Sequence, residues 1–350
     1  MSTRVVIAEA ERDGMRAAEA FLRDPVSAGH SSLGSFNAVG SERARRLLRA
    51  LIAARIPFRW LIALRPLVRD AAGMDRFMGR YAYWGGVRRA IPDRGTWRRL
   101  TQTPIILMYH AIGRRGEYPS IYVVGRWRFR CQMAWLYWRG YRVVTVSHVT
   151  GRLAARQLMP PRTVAITFDD GYEDVYREAF PILRRYRFAA TIFVVSGSVG
   201  RAAWWASGPP LAGRAIATEQ QLQEMAAAGI EIGAHTARHP SLTSLSPAEQ
   251  RAEIGGSRRE LEGMMAVPVR SFAYPYGDYD HVTAASVRDA GFHAACCSRS
   301  GRNDPATPLF ELRRTEVRGT DSFVRFVRML ASGRRAASRE WARTEAQVRT

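Results

Sequence analysis

From residue 104 onward, short apolar runs alternate with longer amphipathic stretches, and no other feature constrains the fold as strongly. The candidate strands are Pro104–Tyr109, Tyr141–Val146, Thr163–Phe168, Ala190–Val195, Ile230–Ala234, Val269–Tyr274, Phe292–Cys296 and Leu312–Val317. Helical periodicity fills 172–187, 218–228, 247–265 and 281–290 between them. Strand, helix, strand repeated this often predicts an α/β fold built on a parallel sheet or barrel. In such folds the catalytic groups sit at the carboxyl ends of the strands, so the residues just past each run are the ones to read for chemistry.

The part before residue 104 has a different character. Residues 1–40 read as a weak helix followed by the Gly/Ser-rich linker AGHSSLGSFNAVGS. Residues 41–100 carry fifteen Arg and four acids, half of the chain's net charge of +22. The chain contains no lysine, so this excess is all arginine. Ala44, Leu47, Leu48, Leu51 and Ile52 fall at helical spacing with arginines opposite, and Pro57 and Pro66 break the pattern into short pieces. Such basic amphipathic helices pack on a main domain or lie in a membrane interface with arginine meeting lipid phosphate. Trp60, Trp84 and Trp97 among the arginines suit either role. No helix-turn-helix spacing, zinc finger or stacking-aromatic motif supports nucleic-acid binding.

A chain of 350 residues with 47% hydrophobic and 24% charged residues is neither disordered nor collagenous. Its three cysteines, Cys131 and the neighbours Cys296 and Cys297, make no disulfide framework. The opening MSTRVVIAEAERDG lacks the apolar core of a signal peptide, and no apolar run approaches the 18 or more residues of a membrane span. The expectation is a cytoplasmic location or one peripheral to the inner face of the membrane.

Four segments could carry chemistry. TFDDGY (167–172) closes a strand with two adjacent carboxylates released by a glycine; one could face a cation while the other stays beside it, although Asp-Gly is also turn chemistry. AHTARHPSL (234–242) sets His235 and His239 four apart, about one helical turn, where two imidazoles can grip one metal. Two His and one Asp leave a coordination position open for water, as in catalytic rather than closed structural sites. FAYPYGDYD (272–280) carries Pro and Gly that force an irregular turn, which can aim a backbone N–H at a reacting oxygen. ILMYHAIG (106–113) ends a strand with His110 on the same face.

In this order, each at a strand end, these elements resemble the polysaccharide deacetylase (NodB-homology) family of carbohydrate esterases over about residues 102–320. GIEIGAHTARHPSLTSLS, SFAYPYG and AGFHAACCSRSG extend the resemblance. It implies a distorted (β/α) barrel with fewer than eight regular strands, preceded here by a basic α-helical extension. The division that follows is an N-terminal segment and linker at 1–40, an Arg-rich helical region at 41–101, a catalytic domain at 102–320 and a basic helical tail at 321–350.

The resemblance implies that Asp169 is the catalytic base, that Asp170, His235 and His239 bind a divalent metal, and that the Tyr276 backbone N–H holds the oxyanion. Zinc is the metal the family implies, with cobalt, nickel or iron as alternatives the same donors accept. Two positions depart from the family pattern. Where Arg-x-Pro-Tyr is common, Ala273 stands at the Arg position and Arg270 lies three residues too early. Where Leu-x-x-His supplies a general acid, this chain has LRRTEV (312–317), and Arg314 cannot act as an acid at neutral pH. The Phe-Ala-Tyr-Pro form with an upstream Met-Tyr-His resembles the branch acting on poly-N-acetylglucosamine, which suggests His110 as the acid and Arg314 as a brace for Asp169.

The expected reaction is metal-dependent N-deacetylation of an exopolysaccharide or cell-surface glycan. Deacylation of a lipid-linked sugar precursor, with peripheral membrane contact through 41–100, and a non-catalytic carbohydrate-binding role are the alternatives. Trp204 and Trp205, in the loop 196–217, could stack on sugar faces.

Overall fold

The structure, a computed structural model, describes residues 3–23, 42–54, 56–64, 70–91, 93–113, 120–206 and 211–335. It divides into two compact units: a first of residues up to Thr103 with Arg152–Pro161 and Asp304–Ala306, and a second of Pro104–Gly151, Arg162–Asn303 and the chain from Thr307.

The first unit is helical: α1 (Thr3–Arg23), α2 (Glu42–Ala53), α3 (Phe58–Leu64), α4 (Ala71–Ala90) and α5 (Arg94–Thr101). Asp70 caps α4 by accepting from the Gly73 amide at 2.8 Å. Asp93 caps α5, accepting from the amides of Gly95 at 3.1 Å and Thr96 at 2.5 Å. Pro57 separates α2 from α3, as a residue without an N–H should. The Gly/Ser-rich linker at 28–41 and Pro66 lie outside the described residues. Leu48 and Ile52 of α2 enter the unit's core with Phe21, Met78, Tyr81 and Val87, while Leu47 stays half exposed. Trp84 is buried in the same core, Trp97 meets it edge-on at 6.2 Å, and Trp60 is exposed. Gly14 and Gly86 let α1 and α4 approach closely, since a Cβ at Gly14 would fall 2.0 Å from the Tyr83 carbonyl oxygen and one at Gly86 2.1 Å from that of Glu11. Among the described residues no helix is long and apolar enough to cross a membrane.

The second unit is built on β1 (Ile105–Tyr109), β2 (Ala111–Gly113), β3 (Val123–Gly125), α6 (Arg126–Trp138), β4 (Arg142–Val144), α7 (Val146–Ala154), β5 (Thr163–Phe168), α8 (Phe180–Tyr186) and β6 (Thr191–Val194). It continues with α9 (Glu219–Ala227), β7 (Glu231–Ala234), α10 (Pro247–Met265), β8 (Ser271–Ala273), α11 (His281–Asp289), β9 (Ala294–Cys296), β10 (Arg314–Glu316) and α12 (Phe323–Ser332). Capping boxes at Thr218/Gln221 and Ser246/Glu249 start α9 and α10. The eight apolar runs are the eight strands of one sheet; Thr163–Phe168 keeps its full length and the other seven are trimmed at one or both ends. The short pair β2–β3 carries too few residues to show a period and is not anticipated by the sequence pattern.

Every pairing in the large sheet is parallel, in the order β10-β1-β5-β6-β7-β8-β9, with β4 alongside the start of β5. β1 and β5 are buried at every residue, which is why they read as continuous rather than alternating apolar runs. A parallel bridge from Cys296 to Leu312 carries β9 toward the chain entering β10, so the sheet is a nearly closed barrel. At the amino ends of β6, β7 and β8, the Glu231 carboxylate accepts from Thr191 Oγ1 at 2.7 Å, Ser271 Oγ at 2.6 Å and Ser147 Oγ at 2.5 Å. The opposite, carboxyl ends are thereby left for the site.

The core runs from Leu107, Phe129 and Phe168 through Ile232 and Phe272 to Phe326 and Leu330 of α12. Phe272 is fully buried between Ala234 and Ala295 on the flanking strands, with Phe292 5.2 Å away. Phe272→Ala should destabilise this unit by about 3–5 kcal/mol, read as a lower urea midpoint at unchanged slope.

Candidate active site

The strand ends bring together the segments that the sequence singles out. His110 follows β1, Asp169 and Asp170 follow β5, His235 follows β7, and Tyr276 lies three residues past β8. The Asp169 amide still donates to the Tyr109 carbonyl at 3.0 Å, extending the ladder by one residue. The chain then turns out through left-handed backbone at Asp170 (φ 71°) and Gly171 (φ 80°), where a Cβ on Gly171 would stand 3.2 Å from Val194 Cγ1.

Asp169 is buried and held by two parallel bonds from Arg314, Nη1 to Oδ1 at 2.5 Å and Nη2 to Oδ2 at 2.8 Å. Arg314 is itself 1% exposed. Its Nε donates to the Cys297 carbonyl at 3.1 Å, and its guanidinium lies over the Phe193 ring at 5.4 Å. The planar fork of arginine suits this arrangement; a lysine would supply one point charge and leave an oxygen bare. Burial pushes the Asp169 carboxyl up, but Arg314, then His235, pull harder, and its pKa falls below the ordinary carboxylate value. The guanidinium absent beside the Pro-Tyr motif thus arrives from β10.

Asp170, His235 and His239 are all buried, with ligand-capable atoms within 4.8 Å of one another. Asp170 Oδ1 faces Nε2 of His235 at 3.6 Å and Nε2 of His239 at 3.3 Å. The two histidines do not occupy successive turns of a helix, as a spacing of four suggests. They lie on an irregular loop in which Thr236 (φ 67°) and His239 (φ 62°) adopt left-handed backbone. Two side chains hold that loop. Thr236 Oγ1 accepts from the His239 amide at 2.9 Å, and buried Glu253 on α10 accepts from the amides of Ala237 and Arg238 at 3.1 and 2.9 Å. The rings still meet, 4.9 Å apart.

The donor set fits a cation. His235 Nδ1 lies 2.8 Å from the Ala273 carbonyl oxygen and must donate its proton there, which leaves Nε2 with a bare lone pair. Burial lowers the His235 pKa to about 4, so the ring is neutral. Burial raises the Asp170 carboxyl, but His239 and then His110 and His235 bring it well below the ordinary value. A bare nitrogen lone pair therefore faces an ionised oxygen across 3.6 Å, an arrangement that a positive ion between them would stabilise.

Aromatic rings enclose His239: Trp205 stacks on it at 5.0 Å, and Tyr276 meets it edge-on at 4.8 Å. Tyr276 has left-handed backbone (φ 60°) and an exposed ring. His110 is half-buried against Tyr122 at 5.0 Å, and its buried Nδ1 has no hydrogen-bond partner among the described residues. Sequence reasoning missed Glu253, which lies eighteen residues past His235 on a helix, and nothing in the local pattern marks it.

Removing Arg314 leaves a buried carboxylate without its counter-charge. Arg314→Met should cost about 3–5 kcal/mol in urea unfolding, and Asp169→Asn in the same chain should restore part of that loss by removing the charge.

Residues 156–295 match the family model described as polysaccharide deacetylase. A Bacillus subtilis (strain 168) protein named as a polysaccharide deacetylase, YxkH, is 30% identical over 234 residues, covering 66% of this chain and 78% of its own. The poly-beta-1,6-N-acetyl-D-glucosamine N-deacetylase of Staphylococcus aureus is 26% identical over 179 residues, 49% of this chain and 59% of that one. The solved structure of Streptococcus pyogenes deacetylase PplD in complex with acetate aligns with a TM-score of 0.57 at 26% identity, covering 66% of this chain and 97% of that one. With a NodB-type barrel and these relatives, the chain is an enzyme that belongs to the polysaccharide deacetylase family.

Proposed function

We propose that this protein is a metal-dependent N-deacetylase of an N-acetylated glycan of the N-acetylglucosamine type, releasing acetate and a free amine. The observation that carries the reading is the pairing of two adjacent buried carboxylates with different partners: Asp169 gripped by Arg314, and Asp170 facing two imidazole nitrogens. The named activity of the S. aureus relative supports the substrate class.

Asp170, His235 and His239 would hold the divalent ion, with zinc the choice that mixed imidazole and carboxylate donors suit and cobalt, nickel or iron as substitutes. Bound there, such an ion supplies Lewis acidity, polarising the amide carbonyl and lowering the pKa of a water. Asp169 takes the proton of the attacking water. Arg314 occupies one lone-pair direction on each of its oxygens and leaves the other available. Because the ion pair keeps Asp169 ionised, the base is ready at neutral pH, and its orientation is fixed before substrate arrives. The backbone N–H of Tyr276 donates to the developing oxyanion. His110 donates a proton to the departing amine. Trp204 and Tyr276, both exposed, offer faces for sugar rings.

Acetate release from N-acetylglucosamine oligomers and poly-β-1,6-N-acetylglucosamine tests the reaction. Asp169→Asn should lower turnover by about 10²–10⁴-fold while metal content stays unchanged; near-normal turnover would remove Asp169 from the mechanism. His235→Ala should lose metal on dialysis, read by elemental analysis, and activity with it. A wild-type protein that takes up no zinc or cobalt after chelator treatment would overturn the metal assignment.

A further inference from the structure

The first unit holds a cavity of about 940 Å³ that the deacetylation chemistry does not use. α1, α2, the Ile56–Pro57 turn, α4 and α5 supply its walls. Two kinds of surface line it. Ile7, Ile52, Tyr81 and Ala82 are buried and present hydrocarbon, whereas Arg89, Arg94 and Arg98 are exposed and present charge at the solvent edge. Arg88 and one carboxylate, Glu11, complete the charged part of the lining.

The arginines are not equivalent. Arg89 is ion-paired with Glu11, and Arg88 donates to the Ile91 carbonyl and lies over the Trp97 ring at 5.8 Å. Arg94 and Arg98, one turn apart on α5, have no carboxylate partner among the described residues. Two guanidinium forks without acids, above a buried apolar wall, define the ligand by elimination. A neutral apolar molecule has no use for the charges, and inorganic phosphate has none for the hydrocarbon. The volume lies within the roughly 300–1,000 Å³ that encloses a drug-sized ligand, so it admits a head group and a stretch of chain.

We propose that this cavity binds an anionic phospholipid, one whose head phosphate has no cationic group to neutralise it, its hydrocarbon against Ile7, Ile52 and Tyr81 and its phosphate held by Arg94 and Arg98. Guanidinium is the side chain best matched to phosphate oxygens in pairs. The site is independent of the deacetylase reading and gives the arginine-rich region a ligand.

Gly85 provides the decisive variant. It lines the cavity, and a Cβ built on it meets no heavy atom within 4 Å, so Gly85→Leu grows into the open space and leaves every guanidinium in place. The full-length protein is sedimented with phosphatidylcholine vesicles, with and without phosphatidylglycerol, and with inorganic phosphate as competitor. Binding should need phosphatidylglycerol, and Arg94→Glu combined with Arg98→Glu should weaken it by about tenfold or more. Gly85→Leu should weaken it comparably, with circular dichroism unchanged; if it misfolds, Ala53→Leu at an exposed lining position serves the same purpose. Undiminished binding by the cavity-filling variant would overturn the proposal in favour of surface electrostatics. Equal binding to pure phosphatidylcholine, or full displacement by inorganic phosphate at matched phosphate concentration, would overturn it too.

Discussion

Two neighbouring carboxylates, 3% and 5% exposed, are buried at the end of one strand, and the site is organised around satisfying both. Each ion removed from water costs several kcal/mol unless charge and hydrogen bonds are returned to it. Asp169 receives both from Arg314. Asp170 instead faces two imidazoles, one of them neutral with its bare nitrogen turned toward it, an arrangement that a cation between them would stabilise. The two carboxylates are thus separated by one peptide bond and by the kind of partner each accepts.

The backbone carries part of that burden. Among the described residues eight non-glycine positions have positive φ, and four of them, Asp170, Thr236, His239 and Tyr276, belong to this site. Left-handed backbone costs about 1–3 kcal/mol at such positions and persists where surroundings over-determine it. The Thr236 hydroxyl and the Glu253 carboxylate do so on the histidine loop, from inside the turn and from α10. At the far end of the barrel, Glu231 ties β6, β7 and β8 together through neutral hydroxyls.

What was legible in the sequence followed from local pattern. The strands were readable because parallel strands covered on both faces leave unbroken apolar runs, and Asp169, Asp170, His110 and His235 because they sit where those runs stop. The conformation of the histidine loop was not legible, since a spacing of four is satisfied equally by a helical turn and by a loop with two left-handed residues. Glu253 and the stacking of Trp205 on His239 depend on tertiary approach and leave no periodic trace. In the first unit, Gly14 and Gly86 look like helix weaknesses in the chain, and only the packed pair α1 and α4 shows them as the places where two backbones meet. Arg314 was conspicuous as a departure from a pattern, yet its partner lay 145 residues away.

That separation has a consequence for how the enzyme comes into being. β1 and β10 are the first and last strands of the barrel and lie side by side, and synthesis delivers Asp169, Asp170, His235 and His239 before the guanidinium that grips Asp169. Until residue 314 leaves the ribosome, the nascent chain is a sheet with an open seam and an acid with no counter-charge, a long-range closure of the kind that slows folding. The segment 156–295 that matches the family model contains Asp169, Asp170, His235 and His239 but neither Arg314 nor His110. Assembly of the strand-end cluster is therefore coupled to synthesis through β10, and a product truncated before it carries Asp170, His235 and His239 with Asp169 unheld.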